Sequence, residues 1–260
     1  MNVMDLFGLQ GRVAVVTGGS GLYGRQMVEA LAGAGAKVYT VSRNPEANEK
    51  FALAMREKGL QVYAGVMDQG DEQSITACLD AIRKAGDKVD ILVNNAVLRI
   101  TKGYHTDSAL FDQSLHVNGT GLMMVSRVFG DHMAEHGGGS IINIGSYMGL
   151  LGPDYELYKG TDMPTDFAGD YFFHKGGMQT YTRFLAGYYG GKNVRCNVLN
   201  LGGVFHHQPE EFVQRYCAKT FLNRMANHTD VMGAVVFLAS DASAYITGSS
   251  IEIDGGYTAK

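Results

Sequence analysis

Residues 12–42 constrain the fold more than any other stretch. Arg12-Val13-Ala14-Val15-Val16-Thr17 is a short, β-branched apolar run, the pattern of a strand buried on both faces. Gly18-Gly19-Ser20-Gly21-Leu22-Tyr23-Gly24 follows, then a helical pattern through Met27, Val28, Leu31 and Ala32. Lys37-Val38-Tyr39-Thr40-Val41-Ser42 is a second strand. Strand, glycine-rich turn, helix and strand within about 30 residues make a βαβ unit, whose glycines let backbone approach a pyrophosphate at the helix N-terminus.

The alternation continues to the C-terminus. The pattern predicts helices over 44–58, 71–85, 108–135, 170–189, 209–224 and 229–238. It predicts strands over 61–66, 89–94, 140–144, 193–199 and 249–253. Seven strands alternating with helices predict an α/β fold, a Rossmann-type doubly wound parallel sheet with helices on both faces. No linker, repeat or low-complexity tract divides the 260 residues, so 1–260 reads as one dinucleotide-binding catalytic domain. A net charge of -4 argues against a nucleic-acid partner. No stretch has the length and apolarity of a membrane span, and no leader is evident at the N-terminus. Three scattered cysteines, Cys78, Cys196 and Cys217, fit a reducing, cytoplasmic setting and form no zinc-site pattern. His206-His207 invites a metal reading, but adjacent side chains rarely chelate one ion, and no metal site is expected.

In sheets of this kind ligands bind beyond the carboxyl ends of the strands. Those ends carry Gly18 to Gly24, Ser42-Arg43, Asp68, Asn94-Asn95-Ala96, Ser146 and Leu201-Gly202-Gly203. Tyr171 and Lys175 lie one helical turn apart on one face. An ammonium near a phenol favours the phenolate, so the pair fits an acid–base device, and alone it fits a helix-surface pair as well.

Taken together these residues resemble the short-chain dehydrogenase/reductase family, and the likeness runs along almost the whole chain. Thr17 to Gly24 is similar to the family's TGxxxGxG loop, Asn94-Asn95-Ala96 to its NNAG segment, and Tyr171 with Lys175 to YxxxK. Asp68, Asn118, Ser146 and the ending Ile253-Asp254-Gly255-Gly256 match as well. The resemblance implies hydride transfer between nicotinamide and a carbonyl or secondary alcohol. It casts Tyr171 as general acid or base, and Lys175 as the group that lowers its pKa and holds the nicotinamide ribose. Ser146 becomes the hydrogen-bond donor to the substrate oxygen, and Asn118 the residue orienting a relay water. Gly18, Ser20, Gly21, Leu22, Tyr23, Ser42, Arg43, Asp68, Asn95, Ala96, Gly202 and Val204 become cofactor contacts beside Tyr171 and Lys175. Homo-oligomers, tetramers or dimers through helix faces 108–135 and 170–189, follow from the same resemblance.

The departures from the family pattern are informative. Leu22 stands at the middle glycine, Val97 at the glycine of NNAG, and Leu201 at the proline before Gly202. Ser146 and Tyr171 are 25 residues apart, about twice the family spacing. The added substrate-side segment, about 153–168, is polar and aromatic, and 203–226 reads as a lid. These features look like a bacterial subgroup tied to carbohydrate metabolism, including oxidoreductases of nonulosonic-acid synthesis, and more distantly like gluconate 5-dehydrogenases. The second strand ends in Ser42-Arg43-Asn44 with no acid, which favours NADP over NAD, although Arg43 also fits a surface position. Arg99, His105, Tyr155, Lys159, His206 and His207 fall in loops over the crevice and suit a polar, anionic or polyhydroxy small molecule. The rival readings are an NAD-dependent dehydrogenase of another small alcohol and a catalytically silent nucleotide-binding protein.

Overall fold

A computed structural model describes residues 2–260. Seven parallel strands form one sheet in the order β3-β2-β1-β4-β5-β6-β7. They are β1 Val13–Thr17, β2 Lys37–Ser42, β3 Val62–Val66, β4 Ile91–Asn94, β5 Gly139–Ser146, β6 Val194–Leu201 and β7 Ser250–Ile253. The order reverses between β1 and β4, which opens a crevice at their carboxyl ends.

The helices are α1 Gly24–Gly33, α2 Pro45–Glu57, α3 Glu72–Lys84, α4 Ser108–Leu115, α5 Gly121–Glu135, α6 Gly169–Tyr189, α7 Glu210–Lys219 and α8 Met232–Ala239. Side-chain caps set three of their starts, that of α4 through Asp107, which accepts from the Ala109 N–H. Asn44 accepts from the Ala47 N–H ahead of Pro45, and Asp71 accepts from the Gln73 N–H. Alternate residues of β1 divide between two cores. Ala14 and Val16 pack with Met27, Leu31, Val235 and Leu238 of α1 and α8. Val13 and Val15 pack with Ile75, Val125, Phe129 and Leu185 of α3, α5 and α6. Both faces are therefore covered, which is why the strand is apolar without alternation.

Several boundaries differ from expectation; β4 starts two residues late, at Ile91, and α8 three late, at Met232. The region 108–135 is one continuous helical path with a π-turn at His116–Thr120, which splits it into α4 and α5. β5 runs on to Ser146, because its last residues pair with β6 as far as Leu201. The helix expected over 209–224 stops at Lys219, where Thr220 is extended and Asn223 takes a left-handed φ of 51°.

A polar ladder crosses the interior. Asn94 Nδ2 donates to Asn143 Oδ1 at 2.9 Å, and Asn143 Nδ2 donates to Thr182 Oγ1 at 2.9 Å. This joins β4, β5 and α6 at fixed register. The turn after β5 meets α6 closely as well. A Cβ built on Gly149 would lie 2.5 Å from the Lys175 carbonyl oxygen, so only glycine fits. Gly149→Ala should lower unfolding stability by about 1–3 kcal/mol, measured by thermal or urea melts monitored by circular dichroism.

Candidate active site

Ser146, Tyr171 and Lys175 line one cavity of about 700 Å³, together with Gly18 to Tyr23 without Gly19, Asn95-Ala96 and Gly202 to Val204. Strand β5 delivers Ser146 at its last residue, and α6 delivers Tyr171 and Lys175 from its first two turns. The Ser146 oxygen accepts from the Met148 N–H at 3.2 Å, which leaves its own hydrogen free to donate into the cavity. Lys175 is buried, and its Nζ donates to the Ile144 carbonyl at 2.5 Å. It lies 5.9 Å from the Tyr171 ring centroid. Burial, and then the Arg99 guanidinium, push its pKa down to about 7.

Arg99 stacks on the Tyr171 ring with its guanidinium carbon 4.4 Å from the centroid. It is exposed on the cavity rim and pairs with no carboxylate among the described residues. Of the six loop residues considered as substrate contacts, Arg99 and His206 line the cavity. Lys159 turns instead to Glu156 at 2.7 Å, Tyr155 meets Phe167 edge-on, and His105 meets Tyr104 edge-on. His207 lies outside the lining, its ring tilted against those of His206 and Phe205.

Asn118 sits in the π-turn, and its amide is committed to the Leu98 backbone and the Ser114 hydroxyl. Its Nδ2 donates to the Leu98 carbonyl at 2.8 Å and to Ser114 Oγ at 3.1 Å, and its Oδ1 accepts from Leu98 N at 2.8 Å. It thereby fixes the strand-end segment that carries Arg99. Asp170, which precedes Tyr171, is buried and accepts from Thr101 Oγ1 at 2.5 Å and from Ser114 Oγ. The Asp170 network escaped the sequence reading, because nothing in one sequence shows which carboxylate is buried. The segment 153–168 folds over the cavity. Its Leu157 and Tyr158 join Tyr147, Phe212, Tyr216 and Tyr257 in an aromatic cluster. Asp154 pairs with Lys219 and accepts from the Tyr257 hydroxyl at 3.0 Å, and Asp166 accepts from Tyr104 N at 2.9 Å.

The glycine loop makes a cradle at the start of α1. A Cβ on Gly24 would lie 2.3 Å from the Gly18 carbonyl oxygen, so the loop closes only with glycine there. Leu22, at the family's middle glycine, is half exposed and lines the cavity. No side chain caps the α1 N-terminus, and Asn95 ties the loop to β4 by donating to the Thr17 and Gly18 carbonyls at 2.9 and 3.0 Å. A smaller recess adjoins the cradle through Gly18, Ala96 and Val97, and holds Ser42, Arg43 and Asp68. Cradle, uncapped helix end and recess fit an elongated dinucleotide.

A Rossmann crevice that ends on a serine, a tyrosine and a buried lysine defines a nicotinamide-dependent oxidoreductase. A family model described as enoyl-(acyl carrier protein) reductase matches residues 20–258, and the chain belongs to the short-chain dehydrogenase/reductase family. Galactitol 2-dehydrogenase (L-tagatose-forming) of Cereibacter sphaeroides is 33% identical over 99% of both chains. Gluconate 5-dehydrogenase of Burkholderia cenocepacia, crystallised with NADP and tartrate, is 27% identical over 100% of both chains, with a TM-score of 0.89. A short-chain dehydrogenase of Leptospira borgpetersenii with bound NAD+ is 28% identical, covers 99% of this chain and 96% of its own, and has a TM-score of 0.85.

The buried Lys175 generates a pH-dependent stability. A lysine held at about 7 against an ordinary 10.5 binds fewer protons folded than unfolded between those values, so stability rises with pH across that window. The Tm of the cofactor-free protein should climb from about pH 7 to about pH 8.5, and Lys175→Met should flatten that slope in calorimetric scans.

Proposed function

We propose that the protein is an NADP-preferring oxidoreductase that interconverts a secondary alcohol and a carbonyl on a polar, carbohydrate-derived substrate. The convergence of Ser146, Tyr171 and Lys175 on one cavity carries the reading. The nicotinamide, when bound, supplies the hydride acceptor or donor. Tyr171 moves the proton at the substrate oxygen, taking it in oxidation and giving it in reduction. The free Ser146 O–H steadies that oxygen as charge develops on it. Lys175 provides the positive charge that eases ionisation of the phenol and contacts the ribose end of the cofactor. Gly18, Ser20, Gly21, Leu22 and Tyr23 embrace the pyrophosphate, Asp68, Asn95 and Ala96 border the adenosine, and Gly202 and Val204 back the nicotinamide.

Arg43 supports the cofactor preference. It lines the recess at the end of β2, is exposed, and has no carboxylate partner among the described residues. A guanidinium in that setting suits a 2′-phosphate. Arg99 and His206 on the rim support a polar substrate, as do the relatives acting on galactitol and gluconate. Met148, Met163 and Phe212 in the same wall favour a second reading, a more apolar alcohol. The segment 153–168 and α7 form one substrate-side wall in this proposal, α7 being anchored by buried Phe212 and Tyr216. The enzyme is read as cytoplasmic and homo-oligomeric. No helix among the described residues is long and apolar enough to cross a membrane. Phe184 stacks between Tyr181 and Tyr188 along α6, and Phe184, Tyr188 and Phe173 stand exposed as a face for a second copy.

Fluorescence titration tests the cofactor. Wild type should bind NADPH more tightly than NADH, and Arg43→Ala should weaken NADPH binding about tenfold or more while leaving NADH unchanged. A preference for NADH that the substitution leaves intact overturns the NADP assignment. Turnover with polyols, sugar acids and a hydrophobic secondary alcohol then separates the two substrate readings. Tyr171→Phe should cut kcat by about a hundredfold or more with cofactor affinity retained.

A further inference from the structure

A buried imidazole without a protein partner lies between the two residues of the acid–base pair. His174 is 6% exposed, and neither Nδ1 nor Nε2 meets a hydrogen-bond partner within the protein. Among the described residues the only other buried side-chain atom in that condition is Gln26 Oε1. Burying a polar group in this way is unfavourable unless a water or ligand completes it. The ring meets Tyr171 edge-on, with centroids 5.2 Å apart and planes at 82°.

The surroundings indicate what completes it. His174, Lys175, Asn118, Asn94 and Gln69 line a small cavity of about 10 Å³, the scale of a single water. Asn118 has spent both amide hydrogens on Leu98 and Ser114, and Asn94 has bonded Ser126 and Asn143. Lys175 has given one donor to Ile144, which leaves two. His174 is the lining group whose polar atoms are all buried without a protein partner, while Gln69 donates to the Val117 carbonyl and keeps its Oε1 and second amide hydrogen. Burial, and then the charge of Lys175, push its pKa down to about 3; Arg99, from the loop after β4, acts in the same direction and Asp170 opposes it. The ring is therefore neutral at working pH, with one N–H and one bare nitrogen.

We propose that His174 holds a water against Lys175 and so positions the proton exchange that serves Tyr171. The inference rests on the reading of Tyr171 and Lys175 as the acid–base pair. In oxidation Lys175 gains a proton from the Tyr171 side and gives one to the water, which releases one of its own; in reduction each transfer runs in reverse, so every N–H or O–H bond broken is matched by one formed. The imidazole keeps its own proton and only makes hydrogen bonds, so His174 is a positioning residue. The Asn118 amide, on the same cavity wall, meanwhile holds the Leu98 backbone and the Ser114 hydroxyl.

The test compares His174→Phe, which removes both polar atoms, with His174→Gln, which keeps a donor and an acceptor. Wild type and both variants are titrated with reduced cofactor, and kcat and KM are measured in H2O and D2O. H174F should keep cofactor affinity and KM within about twofold, lose about five- to tenfold in kcat, and show a larger solvent isotope effect on kcat. H174Q should recover kcat to within about twofold of wild type. An H174F enzyme with wild-type kcat and isotope effect overturns the proposal. So do equal losses in H174F and H174Q, since packing alone then accounts for the residue. If H174F does not fold, His174→Leu takes its place against H174Q with the same criteria. A wild type that neither binds a nicotinamide cofactor nor turns over an alcohol defeats the underlying reading, whereas an active wild type with an indifferent H174F defeats the water assignment alone.

Discussion

The site depends on how α6 is held against the sheet, and polar bonds made away from water hold it. The ladder from Asn94 through Asn143 to Thr182 fixes the helix along the sheet, and the bond from Lys175 to the Ile144 carbonyl fixes its near end. Apolar contacts tolerate sliding, because burial energy has no direction. A hydrogen bond in the interior does not, since a shift leaves a donor unpaired where no water can reach it. Two such anchors on one helix give Tyr171 and Ser146 a fixed relation although they come from different elements. Gly149 adds a steric stop by bringing backbone against backbone at the same level.

The same logic divides the site into parts of different character. The reacting groups stand on β5 and α6, elements of regular backbone pairing. The substrate side is built from irregular chain: the segment after β4, the segment before α6 and the turn after β6. These stretches are held by side chains reaching for backbone, as Asn118 does for Leu98 and Arg215 for the Leu157 and Lys159 carbonyls. Arg99 owes its place over Tyr171 to that arrangement, so a residue that escapes secondary structure still meets the phenol face to face.

Much of this was legible in the sequence because it rests on periodicity and on glycine. Val13 to Thr17 could hardly be anything other than a central strand, and Gly24 has no substitute beneath the Gly18 carbonyl. Tyr171 and Lys175 announced themselves by spacing on a helix. What stayed hidden depends on long-range pairing. The π-turn around Asn118 leaves no signature in residue type, since a turn of helix one residue wider uses the same amino acids. Asp170 and His174 read as ordinary polar positions of a helix start, and only tertiary burial distinguishes them. Lys159 and Tyr155 look like site residues by composition, yet a local partner three residues back and a neighbouring ring claim them.

The way the segment 153–168 is anchored bears on how such a protein can change over generations. Its path is set by Asp154 at one end, Asp166 at the other, and carbonyls at 157 and 159 that any residue would offer. Tyr158 packs on Phe167 and Phe212 and adds to this hold, whereas Met163, which also lines the cavity, is not among those anchors. A mutation at Met163 alters the shape of the chamber while these anchors stay in place. Selection for a new substrate therefore has a place to act that is uncoupled from selection for folding.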